Sequence, residues 1–82
     1  MKILYFASIK QRIGKAEDLI NVLKPVTISE IIEILKARNK NYNLVFSDLK
    51  NIRCSVNYNF VNFNEKVSNN DELAFFPPVT GG

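Results

Sequence analysis

The stretch "VTISEIIEILKARN", residues 26–39, carries the strongest helix signal in the chain. Thr27 and Glu30 have the spacing of a capping box, with Val26 and Ile31 placed as a hydrophobic staple. Pro25 lies outside, where it breaks nothing. Ile28, Ile31, Ile32 and Leu35 then recur at helical spacing, a single apolar stripe predicted to run through about Asn39. One stripe needs one surface to lie on, and the sequence on either side supplies strands.

Upstream, Lys2 to Ala7 reads as a first strand, with Ile3 and Tyr5 on one face and Leu4 and Phe6 on the other. Ser8 is placed to cap a short helix carrying Ile9 and Ile13 and closed by Gly14. A second strand is expected in "EDLINVL", residues 17–23. Downstream, "YNLVFSDLK", residues 42–50, fits a short helical turn or an irregular edge equally well. "IRCSVNYNFVNF", residues 52–63, reads as a hairpin turning near Asn57 to Asn59, because asparagine tolerates positive φ. A last strand follows from Glu72 to Phe76. Strands at both ends and one main helix between them predict an α+β domain, a mixed sheet packed on that helix.

Eighty-two residues allow one domain and leave little room for a deep private pocket. The apolar share of 46% and charged share of 23% are those of an ordinary soluble domain, and no apolar run approaches a membrane span. A cytoplasmic protein is expected, since "MKILYFASIK" lacks the features of a signal peptide. Cys54, the single cysteine, alternates with Ile52 and Val56 and reads as a small buried hydrophobe. Histidine is absent, which removes the commonest general base and metal ligand, and no metal or bound cofactor is expected. The net charge of +3 raises nucleic-acid binding, but the eleven basic residues are scattered along the sequence without a cluster. Neither nucleic acid nor membrane is expected as a partner.

The end of the chain, "FFPPVTGG", changes character at Phe76. Pro77 and Pro78 have no amide hydrogen to donate and cannot extend a ladder, so residues 1–76 are read as the domain and 77–82 as an extended tail. Val79 and Thr80 keep that tail extended, and Gly81 and Gly82 suit a slot too narrow for any side chain.

This ending resembles the C-terminus of the molybdopterin synthase small subunits, the ubiquitin-like sulfur carriers of molybdenum-cofactor synthesis. "KILYFASIKQRIG" is similar to that family's opening strand and helix, and "VNYNFVNF" to its hairpin. Three positions depart from the pattern: Lys10-Gln11 stands where an Arg-Glu pair is usual, and Asn70 replaces a turn glycine, its left-handed tolerance preserving the turn. The resemblance implies a ubiquitin-like β-grasp fold with a flexible Gly-Gly tail. It also implies that the Gly82 carboxylate is adenylated by an ATP-dependent activating enzyme, converted to a thiocarboxylate, and used with a large subunit to place sulfur on a cyclic pterin phosphate. The small subunit would then be no enzyme on its own, but the sulfur-donating part of a heterotetramer. The other readings are a ubiquitin-like modifier joined to lysines, a carrier for another thiolation pathway, and a binding module with an incidental tail.

The strand pattern adds one expectation. The amphipathic helix covers one sheet face only, so Leu4, Phe6, Phe60 and Phe76 would form an uncovered apolar patch at the root of the tail. Such a patch is read as a partner interface, unless residues 42–50 fold over it.

Overall fold

The computed structural model describes residues 1–78. Its elements, in chain order, are β1 (Lys2–Tyr5), α1 (Ala7–Ile13), β2 (Glu17–Leu19), β3 (Val26–Thr27), α2 (Ile28–Lys36) and α3 (Lys40–Phe46). A 3-10 turn at Leu49–Asn51 leads into β4 (Arg53–Val56), β5 (Asn59–Val61), β6 (Lys66–Val67) and β7 (Glu72–Phe76). Five strands form one mixed sheet in the order β2-β1-β7-β4-β5, while β3 and β6 pair separately. The first and last strands lie parallel at its centre, with Ile3 opposite Leu73 and Tyr5 opposite Phe75. This is the β-grasp arrangement that the resemblance implied.

The capping box forms as spaced. Thr27 Oγ1 accepts from the Glu30 amide at 3.2 Å, and Glu30 Oε1 accepts from the Thr27 amide at 3.3 Å. The helix ends at Lys36 rather than Asn39, because Asn39 is extended and uses its side chain to accept from the Tyr42 amide, capping α3. The segment 42–50 is therefore helix, then a 3-10 turn, and not an edge. β1 stops at Tyr5 because Ala7 turns the corner at φ 51. Ser8 does not cap: the N-cap of α1 is Phe6, with no side-chain cap bond, although Gly14 closes the helix at φ 92 as expected. β2 is shorter than the expected strand, covering residues 17–19 alone. Asn70 takes no positive φ. Its turn is held instead by Asp71, which accepts from the Ser68 amide at 2.8 Å.

Ile28, Ile31, Ile32 and Leu35 of α2 are buried against the sheet face that carries Ile3, Tyr5, Leu73 and Phe75. α3 packs on the same side, bringing Phe46 edge-on to Phe75 with ring centroids 4.9 Å apart. Each such side chain removed from water contributes about 2–3 kcal/mol. Within this apolar layer sits one carboxylate. Asp18 Oδ2 accepts from the phenols of Tyr5 at 2.8 Å and Tyr42 at 2.6 Å, while Oδ1 meets Lys15 Nζ at 3.2 Å and Arg38 Nη1 at 3.1 Å. Four residues, from β1, the loop after α1, the connection after α2 and α3, thus converge on one carboxylate of β2.

Burial alone would raise the Asp18 pKa, but the bonds from Tyr42, Tyr5 and Lys15 outweigh it and hold the carboxyl below its ordinary value. A depressed carboxylate stabilises fully above the unfolded value of about 3.9 and loses that contribution as pH falls through the lower folded value. Asp18→Ala, which strands two phenols, is expected to lower stability by about 3 kcal/mol at pH 7. In urea melts, the gap between variant and parent narrows toward pH 3. An unchanged gap would show that the carboxylate charge contributes nothing.

Candidate functional site: the open sheet face

The second face of the sheet has no layer over it among the described residues. Residues 42–50 do not fold across it, because Tyr42, Val45 and Phe46 are buried on the α2 side. Strand register then decides what this face displays. Leu4 lies opposite Ala74, Ala74 opposite Ser55, and Ser55 opposite Phe60, which makes one row across four strands. The next row toward the tail holds Phe6 and Phe76, with Arg53 opposite Phe76. Phe6 is tied to the last strand by its amide, which donates to the Phe75 carbonyl at 3.1 Å.

Phe6, Phe60 and Phe76, far apart in sequence, therefore share this face, as expected. Phe60 is 81% exposed and leans on the half-buried Phe76, with ring centroids 5.6 Å apart. The pair forms a ridge. On one side lies a shallow depression of about 340 Å³ floored by Leu4 and Ala74 and walled by Phe6 and Tyr58. On the other lies a hollow of about 190 Å³ bounded by Arg53, Cys54 and Val61. The far rim is polar, with Lys2 and Glu17 3.9 Å apart. An apolar centre with a charged border has the anatomy of a protein interface rather than of a small-molecule pocket.

Tyr58 belongs to this face and was not singled out from the sequence. The β4–β5 turn is Asn57-Tyr58, both at positive φ, 50 and 72. Asparagine accepts that conformation readily, whereas a bulky residue is strained there. Three bonds hold the turn in place: Asn57 N to the Glu72 carbonyl, the Glu72 amide to Asn57 Oδ1, and Asn57 Nδ2 to Asp71 Oδ1, each 2.9 Å. Tyr58 is 88% exposed, so burial does not repay its strain. An aromatic where Asn-Gly is the favoured pair was the available signal.

The remaining candidates are placed as follows. Cys54 is buried, its Sγ donates to the Val61 carbonyl at 3.3 Å, and burial pushes the thiol up to about 11. A thiol so placed is protonated at neutral pH and sheltered from reagents. Among the described residues no group of His, Cys, Asp and Glu side chains is placed to hold a metal ion. No described helix is long and apolar enough to cross a membrane. Pro77 and Pro78 leave the end of β7 half-buried and outside the ladder. Val79, Thr80, Gly81 and Gly82 lie outside the described residues.

The sequence profile of the ThiS family matches residues 3–82. The molybdopterin synthase sulfur carrier subunit of Escherichia coli is 32% identical over 82 residues, a match that spans 100% of this chain and 99% of that protein. Among solved structures, SAMP1 from Haloferax volcanii superposes with a TM-score of 0.79 at 26% identity, covering 100% of this chain and 98% of the other. A complex of subunits 1 and 2 of the molybdopterin-converting factor from Helicobacter pylori contains a chain of the same fold, with a TM-score of 0.67, 21% identity, and coverage of 99% and 96%. Matched from end to end in sequence and in fold, the chain belongs to the ThiS family, alongside the molybdopterin synthase sulfur carrier subunits.

Proposed function

We propose that this protein carries sulfur for molybdopterin synthesis on its Gly82 carboxylate, acting in the cytoplasm. The observation that carries the reading is the full-length kinship with a molybdopterin synthase sulfur carrier subunit. The open apolar face at the root of the tail supports it, because a carrier must be gripped by others while its end reacts elsewhere.

In this reading the Gly82 carboxylate attacks the α-phosphate of ATP in an activating enzyme, releasing pyrophosphate and leaving an acyl adenylate. A sulfur donor displaces AMP, and the product is a thiocarboxylate. Its sulfur is ionised at neutral pH and nucleophilic without a neighbouring base, so a chain without histidine is chemically sufficient. In the synthase, that sulfur attacks an oxygen-bearing carbon of the cyclic pterin phosphate, the carbon–sulfur bond forms as a carbon–oxygen bond there breaks, and the oxygen leaves on phosphate or as water. Water then cleaves the acyl–sulfur bond and returns Gly82 as a carboxylate. Two carriers, each with a large subunit in a heterotetramer, would supply the two sulfurs of the dithiolene that later holds molybdenum. ATP is consumed by the activating enzyme, and the large subunit supplies the pocket and acid–base groups. Pro77 to Thr80 act as the stalk, and Gly81 and Gly82 enter the partner's slot. The H. pylori pair of subunits supports a large-subunit partner.

Mass spectrometry of the chain produced with its activating enzyme tests the chemistry. A sulfur-for-oxygen gain on Gly82 is expected, and it disappears when one residue is appended after Gly82. Conjugates to lysine side chains without thiocarboxylate would mark a modifier instead. Appended protein that still yields molybdopterin, untrimmed, would overturn the carrier reading.

The face is tested by truncation. Phe76→Ala and Phe6→Ala are each expected to weaken binding of both the large subunit and the activating enzyme by about 2 kcal/mol or more, as central aromatic anchors do. The two partners should compete for the carrier in calorimetric titration. Simultaneous binding would refute a shared surface.

Tyr58 separates stability from docking. Tyr58→Gly relieves the strained turn and is expected to raise stability by roughly 0.5–1 kcal/mol while weakening partner binding. A variant that is more stable and binds as well as its parent would remove Tyr58 from the interface.

A further inference from the structure

The basic residues look scattered in the sequence, but the fold collects them. Lys10, Arg12, Lys15, Lys36, Arg38 and Lys40 fall in two segments, residues 7–18 and 36–46, where the only acids are Glu17 and Asp18. Those segments carry an excess of four positive charges. The rest of the chain has five cations against six acids, so the entire positive balance resides in these two pieces. Asp18 fastens them together: Lys15 from one and Arg38 from the other both reach its Oδ1, at 3.2 and 3.1 Å. α1 also packs on α3 directly. The one buried acid of the region thus gathers two of the six cations, Lys36 meets Glu33 at 3.6 Å, and among the described residues no acid pairs with Lys10, Arg12 or Lys40.

One segment of this positive pole, α1, begins beside the root of the tail. β1 and β7 are parallel, so α1 leaves the sheet at the end where β7 gives way to Pro77. The helix then returns to that same end, where the Tyr5 amide donates to the Ala16 carbonyl at 2.9 Å. Phe6, an aromatic of the open face, is also the N-cap of α1. The open face and the helix that carries Lys10 and Arg12 therefore meet at Phe6.

We propose that this basic pole is the electrostatic half of the docking surface, and that it fits an acidic patch on the large subunit beside the slot that takes the tail. The proposal rests on the carrier reading and adds the partner's charge to it. Clustered charge next to an apolar patch speeds encounter and orients it, whereas the apolar patch sets the lifetime of the complex. A tail that must enter a narrow slot gains most from such orientation.

The test compares two variants of equal net charge. Lys10→Gln, Arg12→Gln and Lys40→Gln together remove three charges from the pole, while Lys24→Gln, Lys50→Gln and Lys66→Gln together remove three from the remainder. All six side chains belong to exposed residues, so both variants are expected to melt like the parent. Association with the large subunit is followed by stopped-flow fluorescence. At low salt, about 0.05 M, the pole variant should associate about tenfold more slowly than the control. Near 1 M salt, where screening acts over about 3 Å, the two should coincide.

Equal rates at low salt would overturn the proposal, as would a deficit that persists at high salt. Retention of a short single-stranded RNA by the parent, lost in the pole variant while association with the large subunit is unchanged, would assign the pole to nucleic acid instead. If the parent fails to bind the large subunit at either salt, the carrier reading falls and the proposal with it. Binding by the parent with no difference between variants overturns only the proposal.

Discussion

Much of this structure depends on one pairing, that of the first strand with the last. β1 and β7 run parallel at the middle of the sheet, so all the intervening chain must serve as their crossover. A parallel pair needs a long connection, and here the connection holds the helices that build the core. The same pairing places Phe6 beside Phe76 and starts α1 where the tail begins. The open apolar face and the start of α1 therefore meet where β7 gives way to Pro77, because two strands point the same way.

The two faces of the sheet then divide the work. One receives α2 and α3 and is sealed by aliphatic and aromatic contacts around Asp18. Burying a charge is favourable here only because two phenols and two cations meet it from four other parts of the chain. The opposite face leaves Phe6, Tyr58 and Phe60 exposed, and the Asn57-Tyr58 turn holds one of them at a positive φ that a bulky residue rarely adopts. The chain thus tolerates exposed apolar surface and local strain on the side where a partner binds in the proposed function.

The legible parts were those encoded within a few residues of themselves. The capping box of α2, the alternation in β1 and β7 and the asparagine hairpin all rest on neighbours in sequence, and all formed. Opposite pointing of Leu4 and Ile3 was enough to foresee an open face. What stayed hidden depends on distant partners. Asp18 reads as an ordinary strand-edge acid until residues 5, 15, 38 and 42 converge on it. α3 is a seven-residue helix whose apolar positions, Tyr42, Val45 and Phe46, are too few to declare a period. The two-residue β3–β6 pair offers no pattern to read. Ser8 looked like a cap because it precedes an apolar stripe, but the left-handed Ala7 starts the helix two residues earlier. A role for Gly81 and Gly82 is suggested only by resemblance, since a terminal Gly-Gly has no partner in its own sequence.

The central position of β7 has a consequence for biosynthesis. Because the strand made last is the middle of the sheet, a nascent or shortened chain that stops before Glu72 lacks the sheet's centre rather than its margin. β1 and β4 then have no common neighbour, and the face built from Leu4, Ala74, Phe60 and Phe76 is not assembled. Formation of the native sheet must wait for contacts between residues about seventy positions apart, an intrinsically slow closure. In the proposed function, recognition of that face is therefore also a check on length: only a chain translated through β7 presents it.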